Sequence, residues 1–260
     1  MKTLKTEIYY FSGTGNSLAA AKAIAARLGE TSLISMVAEP PAREIGGADK
    51  KVGFVFPVYY GTLPRRVKDF VEKLAIHPAT YTFGVITMAS PIGGGGLSVL
   101  QKILAKKEVA LSYMKAIRMT ENYVFMFNPP NVETAKKILA KSDAAIAAAA
   151  EEIAAGKRKQ RRFIALRFNK LYKNIESLDK PFRVDERCDG CGLCAKICPV
   201  RNIKICDGKP AWQGHCEHCV ACVNWCHKAA IQYGAKTPKR RRYHHPAIAA
   251  AEMMRNNDKD

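Results

Sequence analysis

The stretch "YYFSGTGNSLAA", residues 9–20, places a loop of small residues between an apolar run and a helix-forming run. Residues 6–11 are rich in side chains that favour a buried strand, and residues 16–28 carry apolar side chains at helical spacing. The sequence therefore predicts a strand, a loop and a helix in that order. Gly13 and Gly15 allow a tight turn. Because backbone amides at a helix N-terminus attract anions, we predict a phosphate site in this loop.

The loop offers neutral hydrogen-bonding groups to a phosphate and carries no lysine or arginine. Ser12, Thr14 and Ser17 have hydroxyls, and Asn16 has a side-chain amide. The pattern G-x-x-x-x-G-K-[ST] of nucleoside triphosphate sites is absent, and the spacing is not the G-x-G-x-x-G of dinucleotide sites. The predicted ligand is therefore a mononucleotide whose phosphate is held by hydrogen bonds and the helix dipole.

The strand–helix alternation continues beyond this loop. Alternating elements of this length imply an α/β fold with a doubly wound, five-stranded parallel sheet covered on both faces. The further predicted elements are strands at 31–37, 51–58 and 81–90 and within 109–126, and helices at 64–74, after Gly93–Gly96 and at 131–157.

Ser12, Thr14, Gly15, Asn16 and Ser17 resemble the phosphate loop of flavodoxins. The resemblance covers residues 1–156 and implies a flavodoxin-like fold that binds FMN. It also implies two flavin-ring loops at the carboxyl ends of strands, where an open α/β sheet binds ligands. They are "PVYYGTLP" (57–64), in which Tyr59 or Tyr60 stacks on the ring, and "ASPIGGGG" (89–96), whose glycine amides face its pyrimidine edge. The residues assigned to FMN in this way are Ser12, Gly13, Thr14, Gly15, Asn16, Ser17, Pro57, Tyr59, Tyr60, Gly61, Ser90, Gly93, Gly94 and Gly95.

All nine cysteines lie between Cys188 and Cys226, and eight of them form two runs. The first run is C-x2-C-x2-C-x3-C-P, and the second repeats it without the proline. In two-cluster bacterial ferredoxins the fourth cysteine of each run binds the other cluster. Zinc sites with paired C-x2-C knuckles do not require this spacing, so zinc is disfavoured. We predict two [4Fe-4S] clusters, one held by Cys188, Cys191, Cys194 and Cys226 and the other by Cys216, Cys219, Cys222 and Cys198.

The cysteine-rich part resembles bacterial ferredoxins over residues 182–234. A chain that joins both parts in this order is similar to the flavodoxin–ferredoxin fusion proteins of anaerobic bacteria, the fused ferredoxins. The resemblance implies a small α+β ferredoxin-like two-cluster domain after the sheet domain. The expected organisation is a flavodoxin-like FMN-binding domain at 1–156, a basic connector at 157–181, the 2[4Fe-4S] domain at 182–236 and a basic, partly disordered tail at 237–260.

Several residues near the cysteine runs invite other interpretations. Cys206 has no place in the ligand scheme, and we expect a buried thiol near the clusters. His215 and His218 flank Cys216, and we expect both to face solvent because the ligand sets are already complete. Trp225 is expected to pack over a cluster.

The chain is strongly basic, with 42 Lys and Arg against 23 Asp and Glu and a formal charge of +19. The densest basic stretch, residues 157–174, has eight basic residues and no acidic one. Without a recognisable nucleic-acid motif, nucleic acid is not the expected partner. The charge favours docking of an acidic redox protein, because electrostatic steering raises encounter rates.

The start of the chain lacks the pattern of a secretory signal, and no apolar run approaches the roughly 18 to 20 residues that cross a bilayer. Cysteines at metal-ligand spacing are typical of a reducing compartment. We therefore expect a cytoplasmic protein without a membrane span.

The two kinds of cofactor predict electron transfer, because a flavin exchanges two electrons or one and a cubane exchanges one. The favoured function is electron transport between the two clusters, FMN and an external redox partner, with no catalytic residue. The alternative is an oxidoreductase in which the flavin reduces a small-molecule substrate, in a pocket walled by Tyr59, Tyr60 or residues 121–131. The sequence leaves open whether the chain is an enzyme, and whether it forms an oligomer.

Overall fold

The computed structural model describes residues 5–90, 94–160 and 178–254. Its larger part is a parallel sheet with the strand order β2-β1-β3-β4-β5. This is the flavodoxin-like doubly wound order, so the predicted fold class is confirmed. The strands are β1 (Lys5–Tyr10), β2 (Thr31–Ser35), β3 (Lys50–Pro57), β4 (Tyr81–Met88) and β5 (Leu111–Arg118).

Helices cover both faces of the sheet. They are α1 (Asn16–Leu28), α2 (Arg65–Lys73), α3 (Gly95–Ala105) and α4 (Val132–Ala154). Residues of α1 and α4 share one buried core with β1, β3 and β4, and residues of α2 and α3 share the core on the opposite face. The central strands are almost continuously apolar, as expected for a parallel sheet buried on both sides. Because β1, β3, β4 and β5 run parallel, their carboxyl ends lie along one edge of the sheet.

A smaller α+β unit follows. Its outer strands β6 (Phe182–Val184) and β9 (Ile231–Tyr233) pair antiparallel, so they close the unit around both cysteine runs. Between them lie the hairpin strands β7 (Ile203–Cys206) and β8 (Lys209–Trp212). Two short helices, α5 (Leu193–Lys196) and α6 (Ala221–Trp225), carry Cys194 and Cys222.

The segment after this unit packs on the rest of the molecule over its described residues. Residues 237–254, here called the C-terminal clasp, contain a 3-10 turn at Thr237–Lys239 and a short helix α7 (Ala250–Met254). The clasp packs against the rest of the molecule through Tyr243, His245, Ile248 and Met253, which are 4–8% exposed. Residues 255–260 lie outside the described part, as do 161–177, which contain most of the predicted basic connector.

No helix among the described residues combines the length and apolar character needed to cross a membrane.

Candidate functional site

The loop between β1 and α1 has the features predicted for a phosphate loop. Residues 12–17 are all buried. Gly15 lies at the N-terminus of α1 with φ of 93°, a left-handed conformation that favours glycine. The hydroxyl of Ser12 accepts a hydrogen bond of 3.1 Å from the Gly15 N–H, and the hydroxyls of Ser17 and Thr87 are 2.7 Å apart. These bonds fix the loop against β4 and leave the positive end of a 13-residue helix behind it.

A cleft of about 420 Å³ opens beside this loop at the carboxyl edge of the sheet. Gly15, Gly94 and Gly95 do not line it: Gly15 turns the chain into α1, and Gly94 and Gly95 are buried at the start of α3. Gly93 lies outside the described residues. The predicted residues that line the cleft are Ser12, Gly13, Thr14, Asn16, Ser17, Pro57, Tyr59, Tyr60, Gly61 and Ser90.

The segment after β5 forms another wall of the cleft. Sequence reasoning considered residues 121–131 only as a wall for a substrate and assigned none of them to a cofactor. The side-chain amide of Asn122 donates a bond of 2.5 Å to the Thr14 hydroxyl, and that of Asn16 donates one of 3.2 Å to the Thr120 carbonyl. Met126 is 62% exposed and Phe127 50%, both at the cleft. This wall thus combines polar contacts at the phosphate loop with exposed apolar side chains.

His218 lies in the cleft wall, and the prediction that it faces solvent is wrong: it is 3% exposed. Its Nδ1 lies 2.5 Å from the hydroxyl of Tyr60 and 3.0 Å from that of Tyr123, and the two hydroxyls are 2.7 Å apart. Burial lowers the pKa of His218 to about 4, so the ring is neutral and its Nδ1 can accept a hydrogen bond from a tyrosine hydroxyl. Sequence spacing could not show this burial, because the covering rings of Phe125 and Tyr233 come from distant segments.

The eight predicted ligand cysteines form two groups in space. The first cysteine set, Cys188, Cys191, Cys194 and Cys226, lines one small cavity, so the fourth cysteine of the second run joins the first three. The members of the second cysteine set, Cys198, Cys216, Cys219 and Cys222, are each 7–8% exposed.

Backbone N–H groups point at the sulfurs of two predicted ligands. The N–H of Asn202 donates to Cys198 Sγ at 3.2 Å, and that of His218 donates to Cys216 Sγ at 3.3 Å. Such bonds stabilise thiolates and tune bound clusters.

Members of both cysteine sets lie where thiolates are costly. Burial, with neighbouring cysteines adding to it, raises the pKa of Cys194 to about 11 and raises the pKa values of Cys219 and Cys222 well above the ordinary value. Four thiolates in such a space would repel one another unless a metal centre neutralised them. The two sets therefore fit iron–sulfur clusters.

The loops of the two cysteine runs share an unusual backbone conformation. In the first run Gly190 and Gly192 have φ of 76° and 72°. In the second run the equivalent positions are His218 and Val220, both with φ of 56°. A β-branched residue is strained in this region. The second loop therefore accepts strain at the two positions whose side chains line the cleft.

The second cysteine set is packed directly against the phosphate loop. A Cβ at Gly13 would overlap the carbonyl oxygen of Cys219. The indole N–H of Trp225 donates a bond of 3.1 Å to the Gly13 carbonyl, and its ring stacks on His244 with centroids 4.1 Å apart. Trp225 was expected to pack over a cluster; its hydrogen bond to Gly13 joins α6, the helix that carries Cys222, to the phosphate loop.

The C-terminal clasp holds the same loop from another side. The His245 N–H donates to the Thr14 carbonyl at 2.8 Å, and the Tyr243 hydroxyl donates to Asn16 Oδ1 at 2.9 Å. The side chains of His245 and Ile248 lie next to Gly15. The clasp therefore contacts the phosphate loop through Thr14, Gly15 and Asn16.

Cys206 and His215 lie outside both cysteine sets. His215 is exposed, as expected, whereas Cys206 is also exposed, so the expected burial of its thiol is wrong. Cys206 ends β7 at the tip of a surface hairpin, where no core covers it.

Residues 181–204 match the family model of the 4Fe-4S binding domain. This match supports a [4Fe-4S] cluster in the smaller unit. No curated protein sequence matches the chain. Together with the strand order of the sheet, the match agrees with the expected flavodoxin–ferredoxin fusion.

Solved structures are similar to part of the chain. A putative flavoprotein from Bacteroides uniformis is 19% identical, with a TM-score of 0.35, over 54% of this chain and 100% of its own. The flavodoxin of Streptococcus pneumonia TIGR4 is 16% identical, with a TM-score of 0.40, over 58% and 97%. Rubredoxin oxygen:oxidoreductase from Desulfovibrio gigas is 14% identical, with a TM-score of 0.33, over 56% and 36%. These scores are low, so the fold assignment rests on the strand order.

Proposed function

We propose that the chain is an electron-transfer protein that passes single electrons between two [4Fe-4S] clusters and FMN and exchanges them with an external redox partner. The observation that carries the proposal is the packing of Cys219 on Gly13, which joins the second cysteine set to the phosphate loop. His218 and Val220, on either side of Cys219, line the same cleft as that loop. A cluster at these cysteines would thus be a direct neighbour of a ligand in the cleft.

In the proposed FMN site the phosphate lies at the loop of residues 12–17 and the flavin ring lies in the rest of the cleft. The amides and hydroxyls of residues 12–17 bind the phosphate, with the dipole of α1 in place of a cation. Tyr59 and Tyr60 lie at the part of the cleft proposed for the ring, and the segment of Asn122 and Tyr123 closes it. When bound, a flavin joins two-electron to one-electron chemistry. The role of these residues is to hold it, exclude water and fix its distance from Cys219.

The proposed cluster ligands are the two cysteine sets. The first set would hold the cluster nearer to solvent, and the second set would hold the buried cluster beside the cleft. The crossed sharing of Cys198 and Cys226 makes the two clusters neighbours within one small unit. The proposed sequence of sites is therefore first set, second set and flavin.

Anaerobic reconstitution with iron, sulfide and FMN tests the proposal. We expect about eight iron ions and one flavin per chain, since each cubane holds four irons. Iron uptake without any flavin, or flavin uptake with no more iron than one cluster needs, would refute it.

A second candidate function is reduction of a small molecule by the flavin. The specific observation in its favour is the exposure of Met126 and Phe127 at the cleft, beside the hydroxyls of Tyr60 and Tyr123. An apolar opening with hydrogen-bonding groups is typical of a small-molecule site. Saturable turnover of a small acceptor would favour this function, and slow, unselective reduction of dyes would favour the carrier.

A further inference from the structure

We propose that the cluster of the first cysteine set is the port at which an acidic one-electron carrier protein docks. The docking surface, here called the port surface, consists of Ile205, Lys209 and Lys228 around Cys191. The inference rests on the proposed function and extends it by locating the partner. One electron leaves the reduced carrier and one oxidised cluster gains it, while no bond forms or breaks.

The two cysteine sets differ in their access to solvent. Cys191 is exposed, and the other three members of the first set are partly exposed. The four members of the second set are all buried. A partner that exchanges electrons by contact therefore reaches the first set directly, whereas protein covers the second set.

The residues that cover the second cysteine set include those around the proposed flavin cleft. Gly13 packs against Cys219, and Trp225 of α6 is bonded to the Gly13 carbonyl. Tyr60 and Tyr123 lie against His218, which stands between Cys216 and Cys219 in the sequence. The side of the second set that faces the cleft is thus occupied by the larger domain, and the first set lies at the other end of the proposed electron path.

The port surface is built by the hairpin of β7 and β8. The turn of this hairpin lies against the first ligand loop, because Gly208 contacts Gly190. Lys209 Nζ donates a bond of 2.8 Å to the Cys188 carbonyl. Ile205, which is 40% exposed, lines the cavity of the first set together with Lys228.

This arrangement fits a small redox interface. Such interfaces join an apolar centre to a charged rim and remain transient. Ile205 supplies the centre, and the ammonium groups of Lys209 and Lys228 supply the rim. Asp189 also lies here, but its carboxylate is bonded to His227 at 2.9 Å. The chain has a formal charge of +19, and the two lysines make this face positive, so it attracts an acidic partner.

The experiment compares two charge reversals that change the net charge equally. Lys209→Glu/Lys228→Glu alters the port surface, and Lys136→Glu/Lys141→Glu alters exposed positions on α4. Each full-length protein, with its clusters loaded and with or without FMN, is mixed anaerobically with an acidic 2[4Fe-4S] ferredoxin and, separately, with the methyl viologen radical cation. Stopped-flow absorbance follows electron exchange in the direction that the potentials drive.

We expect the port variant to slow exchange with the acidic ferredoxin about tenfold at low ionic strength. The α4 variant should change this rate less than twofold, and added salt should remove the difference. The cationic viologen should react faster with the port variant. Equal effects of both variants, or no effect of either, would overturn the inference. If the wild-type clusters exchange no electrons even with viologen, the proposed function itself fails.

Lys209 also bonds to the ligand loop, so its replacement could prevent cluster loading. Iron and sulfide content of each variant reveals this. In that event Lys228→Glu alone is compared with Lys141→Glu alone, and a threefold or larger difference in the ferredoxin rate is the expected result. The absence of a difference between these single variants would contradict the port.

Discussion

The indole Nε1 of Trp225 donates a hydrogen bond of 3.1 Å to the carbonyl oxygen of Gly13. The two residues are far apart in sequence, and they join the helix that carries Cys222 to the phosphate loop. Because Trp225 lies next to Cys226, which belongs to the first cysteine set, this bond connects the ligand loops of both sets with the proposed flavin site. Cluster assembly and flavin binding are therefore expected to support each other.

The first prediction concerns this bond. Trp225→Phe removes the N–H and keeps an aromatic ring against His244. A hydrogen bond of this kind contributes about 1 kcal/mol, so FMN should bind about fivefold more weakly. Flavin fluorescence titration measures the affinity. Trp212→Phe is the matched control, because Trp212 stacks on Phe182 away from the cleft, and it should leave the affinity unchanged.

A second prediction tests the close approach of the domains. Gly13→Ala would place a methyl group against the Cys219 carbonyl and the Tyr59 hydroxyl. The loop must then move off the cysteine run, so we expect at least tenfold weaker FMN binding, while the spectrum of the iron–sulfur unit is retained. Unchanged flavin affinity in Gly13→Ala would show that the loop does not rest on Cys219.

The assignment of ligands gives a third prediction. Cys226→Ser should disrupt the cluster of the first set and leave the buried one, although Cys226 lies in the second run. Iron content should fall by about half, with one EPR signal remaining. Cys206→Ser is the control and should keep both clusters, since this thiol is exposed at the hairpin tip. Selective loss of the buried cluster in Cys226→Ser would contradict the crossed arrangement.

A fourth prediction concerns stability of the sheet domain. Lys51 is 7% exposed, and its ammonium donates bonds of 2.6 and 2.8 Å to the carbonyls of Ile153 and Ala154 at the end of α4. Lys51→Met would leave these carbonyls without that donor and lower the free energy of unfolding by about 1–3 kcal/mol. Urea unfolding of the flavin-free protein measures the change. Lys50→Met, next to it and partly exposed, should have a much smaller effect.

The sequence predicted the parts of the site that depend on local spacing. The phosphate loop needs a strand, two glycines and a helix within a short stretch, and the first three cysteines of each run have the spacing that binds three corners of a cluster from a single loop. The central strands β3 and β4 were predictable because both of their faces are buried, which makes each of them a short apolar run.

The remaining features depend on contacts between distant segments. His218 is buried because Tyr60 and Tyr123 meet it from two loops of the sheet domain. The C-terminal clasp packs on the phosphate loop although it carries a basic run at residues 239–242, because Tyr243 and His245 make hydrogen bonds there. Residue spacing within one segment carries no information about such partners.

The central claim is that electrons pass within one chain between the clusters and FMN. The most direct measurement is stopped-flow reduction of the anaerobically reconstituted protein, with cluster and flavin absorbance followed at several protein concentrations. We predict that the clusters are reduced first and that flavin reduction follows at a rate independent of protein concentration. A flavin rate that rises in proportion to protein concentration, or a flavin that stays oxidised beside reduced clusters, would contradict the account.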